Sequence, residues 1–150
     1  MTVIEIKVVD ELINKYGLPE YARPGDAGVD LRACITEPVS ISPGNWAIFP
    51  TGIAVYIKDP HVVGFVGSRS GLYFEHSLRV GQGFGTIDSK YTGEVKVMLF
   101  NEGSEKVIIE PGEKIAQFIF LPLIRAEFKL MYEFSEETER GAGGFGHTGR

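Results

Sequence analysis

The sequence of 150 residues contains one cysteine, Cys34. A single thiol cannot close an intrachain disulfide or build a cysteine-based zinc site, so disulfide scaffolds and zinc fingers are excluded together. A reducing, cytoplasmic location is expected. Basic charge is also scarce: 15 Lys and Arg stand against 20 Asp and Glu, a net charge of −5. A broad phosphate-tracking surface for nucleic acid is therefore not expected. Long apolar runs are missing. The longest, Ile115 to Ile124, contains Gln117 and Pro122 and falls well short of the ~20 residues that a membrane helix needs. The first residues, MTVIEIKVVDE, mix acids with apolar side chains and lack a signal-peptide layout. His61, His76 and His147 show no metal-ligand spacing. Sustained helical periodicity is lacking as well; only Glu11–Tyr16 and Ser70–Phe74 read as a turn or two of helix.

What is abundant is glycine, 19 residues, with 8 prolines scattered as punctuation. Between these breakers lie β-branched and aromatic runs: Val3–Val9, Trp46–Ile57, Val62–Val66, Glu94–Phe100, KVIIE and KIAQFIF. Val95, Val97 and Leu99 alternate with Lys96, Met98 and Phe100, the period of a strand with one face buried. The class is all-β, with turns spaced as in a sandwich, jelly roll or barrel. A mass of 16.5 kDa suits one domain with one core. Trp46 reads as core or interface.

Four segments carry side chains suited to chemistry. PGDAGVDLRA (Pro24–Ala33) sets Asp26 and Asp30 around Gly28, a turn leading into a strand. GSRSGL (Gly67–Leu72) presents Arg69 and two hydroxyls in a glycine-bounded loop suited to phosphate oxygens. VGQGFGTIDSKYTGEV (Val80–Val95) reads as a glycine-broken hairpin ending in Asp88 and Tyr91. The last stretch, SEETERGAGGFGHTGR, has Phe145 as its only aromatic or large aliphatic side chain and cannot pack a core. Its glycines spell a dinucleotide-like and a P-loop-like string, but the chain ends before any helix could follow. A solvated tail and a local phosphate clamp through Arg140, Thr148 and backbone NH groups both fit its composition.

In their order along the chain, PGDAGVDLRA, SRSGL, GTIDSKYTG, GEKIAQFIF and RGAGGFGHTG resemble the five motifs of the all-β, homotrimeric dUTPases. The resemblance implies a jelly-roll-like distorted β-barrel over residues 1–134 and a flexible glycine-rich arm over 135–150 that closes on the active site. It implies hydrolysis of dUTP to dUMP and pyrophosphate, limiting uracil incorporation into DNA and supplying dUMP for dTTP synthesis. Asp88 would orient the water that attacks the α-phosphorus, and Mg²⁺ would bridge the phosphates with Asp30 reaching it through water. Arg69, Ser70, Gly71 and Gln117 would contact phosphates. Backbone groups of Gly81 to Thr86 would read uracil, Gln82, Gly83, Thr86 and Ile87 would be among the substrate-binding residues, and Tyr91 would lie under the deoxyribose. Arg140, Phe145, Gly146, His147 and Thr148 would close over the nucleotide. Active sites shared between the subunits of a homotrimer are implied too, with no nucleic-acid or membrane partner.

Two positions depart from the family pattern. Ser68 stands where the family usually has proline, which frees that loop's φ, and Gln82 stands where many bacterial relatives carry asparagine. Activity is expected to survive both. The related dCTP deaminases place a catalytic glutamate where this chain has Met98, which cannot relay protons. A non-catalytic module on the same shell would have no need of Asp88, Tyr91, Arg140 and Phe145 together.

Overall fold

The computed structural model describes residues 3–144. Along them run β1 (Glu5–Val8), α1 (Ile13–Tyr16), β2 (Val29–Arg32), β3 (Val39–Ile41), β4 (Trp46–Tyr56), β5 (Val62–Gly67), α2 (Ser70–His76), β6 (Leu78–Val80), β7 (Gly85–Ile87), β8 (Glu94–Asn101), β9 (Val107–Ile109) and β10 (Lys114–Pro122). One sheet has the order β1-β4-β8-β6, a second β2-β10-β5-β7, and β3 pairs with β9. All these pairings are antiparallel. The fold is all-β, as the breaker spacing predicts, and jelly-roll-like, as the resemblance implies.

Alternation decides which face of each strand is buried. In β8, Val95, Val97 and Leu99 are buried while Lys96 is exposed; in β2, Val29 and Leu31 point inward. Side chains from both four-stranded sheets, including Ile53, Val97 and Leu99 from one and Leu31, Val66 and Phe118 from the other, form one core. Burying a large apolar side chain of this kind contributes roughly 1.5–3 kcal/mol. β4 is long and must bend to follow the barrel. It does so at Gly52, where the pairing with β8 slips between Pro50 and Ala54 and φ is +69°. A Cβ there would stand 2.9 Å from that of Ile13 and 2.7 Å from Cys34 Sγ. Only glycine meets both demands.

Two differences from the sequence reading concern the site. Ser70–Phe74 extends to a helix ending at His76, capped by Ser77 in the left-handed region at φ 53°. The segment read as a hairpin is not one: β6 pairs with β8 and β7 with β5, so Gly81–Phe84 carries the chain from one sheet to the other. The glycines serve that crossing rather than a two-stranded turn. After Pro122 the described chain forms no further strand or helix, and Ile124, Phe128, Leu130, Tyr132 and Phe134 are exposed.

Candidate active site

Strand register brings three of the motif segments into one row. Gln117 on β10 faces Asp30 on β2 on one side and Gly67 on β5 on the other. Immediately after Gly67 the chain leaves the sheet through Ser68 and Arg69 into α2. Gln117 Nε2 donates to the Ser68 carbonyl at 2.9 Å. Arg69 Nε lies 2.9 Å from Asp30 Oδ1, and its Nη1 donates to the Lys114 carbonyl at 3.0 Å. Lys114 Nζ sits 2.7 Å from Asp30 Oδ2. Burial pushes the Asp30 carboxyl up, but the Lys114 hydrogen bond and the Arg69 and Lys114 charges outweigh it and hold the group below its ordinary value. Asp30 is therefore a carboxylate at neutral pH. Ser70 and Gly71, both exposed, begin α2, where the first N–H groups have no intrahelical acceptor.

On the other side of β5 lie two cavities. Val66 faces Gly85 of β7, one residue before the position where Gly67 faces Gln117, so the cavities and the arginine cluster flank the same end of β5. Thr86, Ile87, Asp88, Tyr91, Glu94 and Lys96 line a cavity of about 280 Å³. A second, of about 270 Å³, shares Thr86, Ile87 and Lys96 and adds Gln82, Phe84, Gly85 and Met98. The Phe84 ring stacks on Phe65 with centroids 4.7 Å apart, which fixes the wall of the second cavity. Gly83 closes the turn beside Gln82 at φ +85°, a conformation that any side chain would strain. The Tyr91 N–H donates to the Asp88 carbonyl at 3.0 Å and the Tyr91 hydroxyl to the Glu94 carbonyl at 2.9 Å, so Asp88 sits on a braced loop. Among the described residues the Asp88 carboxylate has no hydrogen-bond or ion-pair partner.

The structure thus gathers Asp30, Arg69 and Gln117 in one cluster and Gln82, Thr86, Ile87, Asp88 and Tyr91 around the cavities. Arg140 Nε donates to the Gly143 carbonyl at 2.9 Å. Phe145, Gly146, His147 and Thr148 lie outside the described residues. Lys114, Glu94, Lys96 and Phe84 were not singled out by sequence reasoning. Lys114 stands three residues before Gln117 in GEKIAQFIF, and only the β2–β10 register reveals its pairing with Asp30.

The donor set fits a divalent ion held chiefly by a ligand's phosphates. No group of three His, Cys, Asp or Glu side chains converges among the described residues. Asp30 has both oxygens in ion pairs yet keeps lone pairs for a metal-bound water. Mg²⁺ is commonly bound by one or two carboxylates, substrate phosphates and several waters.

Fold and site together define a jelly-roll-like, all-β protein with a carboxylate-bearing cavity beside a cationic cluster. The dUTPase family model matches residues 14–149. The chain is 46% identical to the deoxyuridine 5′-triphosphate nucleotidohydrolase of Serratia proteamaculans over 100% of this chain and 99% of that protein. It is 47% identical, with the same coverage, to the enzyme of that name from Idiomarina loihiensis. Its fold matches the G164S variant of the Staphylococcus bacteriophage 80alpha dUTPase, solved with dUpNHpp, at a TM-score of 0.87, 26% identity and full coverage of both chains. The chain belongs to the dUTPase family.

Proposed function

We propose that this dUTPase seats uracil in the cavity of Gln82 and Phe84 and the sugar by Tyr91, and runs the triphosphate past Asp88 toward Arg69 and Gln117. The observation that carries this reading is the register at the end of β5, which sets the cavities on one side and the cationic cluster on the other.

Water attacks the α-phosphorus; its oxygen forms the new P–O bond, the bond to the bridging oxygen of the β-phosphate breaks, and dUMP and pyrophosphate leave. Asp88 orients that water and takes up its proton. A positioned carboxylate of this kind contributes roughly 10²- to 10⁴-fold in rate. Arg69, Gln117, Ser70 and Gly71 bind the α- and β-phosphates and stabilise the charge that develops on the leaving group. Asp30 would hold Mg²⁺ through a bound water, and the ion would supply charge neutralisation at the phosphates. Backbone N–H and C=O groups of Gly81 to Thr86 match uracil and mismatch cytosine, leaving buried polar groups unpaired with the wrong base. Arg140, Phe145, Gly146, His147 and Thr148, in the arm from 135 to 150, close over the nucleotide and exclude water.

The assembly is a homotrimer with shared sites. Its support is apolar surface left bare: Trp46 and Ile48 on β4 are 60% and 54% exposed, register partners of Phe100 and Met98, and the run after β10 is exposed as well. In the cell, this activity keeps uracil out of DNA and supplies dUMP.

Pyrophosphate release from dUTP, dCTP, dTTP and UTP, each with and without Mg²⁺, tests the assignment. Efficient cleavage of dUTP alone, dependent on Mg²⁺, is expected. Ammonia release from dCTP, or binding of dUTP without turnover, would overturn it.

A further inference from the structure

Arg79 on β6 faces Phe100 across the β6–β8 ladder, and its guanidinium carbon stands 5.0 Å from the centre of the Phe100 ring. Its Nε is paired with one oxygen of the Glu102 carboxylate, whose other oxygen accepts the Tyr73 hydroxyl of α2 at 3.4 Å. Held in this way, Arg79 Nη1 donates to two successive carbonyls, that of Val80 at 3.1 Å and that of Gly81. Successive carbonyls of a regular strand face opposite edges, so the ladder breaks here and the turn to β7 begins. Val80 is a fixed base for that turn: it is only 1% exposed, its N–H donates to the Ser68 hydroxyl oxygen at 2.9 Å, and its carbonyl also accepts the Gly83 N–H at 2.9 Å. The Gly81 N–H still reaches the Met98 carbonyl at 2.8 Å. The next amide does not follow it: among the described residues nothing accepts the Gln82 N–H, and Gln82 lines the cavity of about 270 Å³.

We propose that Arg79 is a positioning residue for base selection: by holding the Gly81 carbonyl it aims the Gln82 N–H at the uracil oxygen that cytosine replaces with an amino group. A peptide unit is planar and trans, so its C=O and N–H point in opposite directions. Anchoring the oxygen therefore fixes the hydrogen. Glycine at 81 by itself leaves that plane free to swing, and the guanidinium supplies the missing restraint. A donor so fixed meets an acceptor in uracil and another donor in cytosine, and a mismatch of that kind is costly. The inference rests on the base-reading role given above to Gly81–Thr86. It concerns the turn of one chain alone, whichever subunit supplies the phosphate-binding groups.

The test uses the full chain with dUTP, dCTP and UTP, thermal unfolding being followed alongside. Arg79→Met keeps an apolar stem against Phe100 and removes the donors. It is expected to raise KM for dUTP about 5- to 20-fold while kcat falls less than about threefold, the pattern of a misplaced binding group rather than lost chemistry. The preference for dUTP over dCTP in kcat/KM is expected to fall by about tenfold. The preference for dUTP over UTP, exerted at the sugar, should stay within about twofold, a split that general loosening of the fold would not give. Glu102→Gln leaves the guanidinium in place with a weaker hold, so the same pattern at about two- to fivefold is expected, and it supplies the measurement should Arg79→Met not fold. Added to Arg79→Met, it should change nothing further, because both substitutions act through one contact. Unchanged KM and base preference, equal losses of base and sugar preference, or additive effects of the two substitutions would each overturn the role of Arg79. A wild-type chain that leaves dUTP intact would instead remove the base-reading assignment of the turn.

Discussion

Lys114 Nζ lies 2.7 Å from Asp30 Oδ2, and the opposite oxygen of the same carboxylate is held by Arg69. One acid thus orients two cations at the edge of the site. Its pKa is lowered on folding, so the stability it contributes is fully present above the ordinary carboxylate range and is lost as pH falls through the depressed folded value. Asp30→Asn is expected to lower Tm at pH 7 by about 2–4 °C, the equivalent of roughly 1 kcal/mol for a partly exposed network. The gap to wild type should close in acid. Melting curves from pH 7 down to about 3 check this, and a gap independent of pH would deny Asp30 its linked role.

The Asp88 carboxylate has no partner among the described residues, unlike that of Asp30, and Asp88 lines a cavity. Asp88→Asn keeps the shape and removes the base. Its kcat for dUTP is expected to drop at least about 100-fold with KM within about threefold of wild type. Steady-state kinetics with direct nucleotide-binding measurements separate the two effects; turnover at the wild-type rate would take Asp88 out of the mechanism.

Removing residues 135–150 takes away the proposed arm and no strand or helix of the described fold. The truncated chain should melt within a few degrees of wild type and lose at least about 100-fold in kcat/KM, since groups that close over a substrate supply orientation and exclude water. Full activity after truncation would show that the arm closes over nothing essential.

Phe118 is 1% exposed and sits on β10 directly before Ile119, on the strand that also carries Gln117. Phe118→Ala should cost about 3–5 kcal/mol in chemical denaturation, a large share of the 5–15 kcal/mol typical of a domain. A loss below about 1 kcal/mol would mean that the core refills the cavity by collapse.

Much of this architecture can be read from the residues because burial writes itself into alternation. The runs at Val3–Val9, Trp46–Ile57, Val62–Val66 and Glu94–Phe100 became β1, β4, β5 and β8 with ends shifted by a residue or two. Strands of three residues, such as β3 and β6, offer too few positions for a period to show, and tertiary pairing creates them. The Val80–Val95 segment looked like a hairpin because glycine clusters serve sheet crossings and tight turns alike. Site residues grouped by motif were legible, but their cross-strand partners were not. Nothing near Asp30 in the chain announces Lys114, and nothing near Ser68 announces Val80. Those pairs exist only once β2, β10, β5 and β6 have found their neighbours.

The strip from Gly81 to Phe84 is strung between separate layers of the barrel, anchored at β6 on one side and β7 on the other. Its width is therefore a gauge of how the layers sit against each other. A nucleotide lodged in it would act as a rivet, and amide hydrogens in β6 and β7 should slow their exchange with solvent in step although no bond of one ladder belongs to the other.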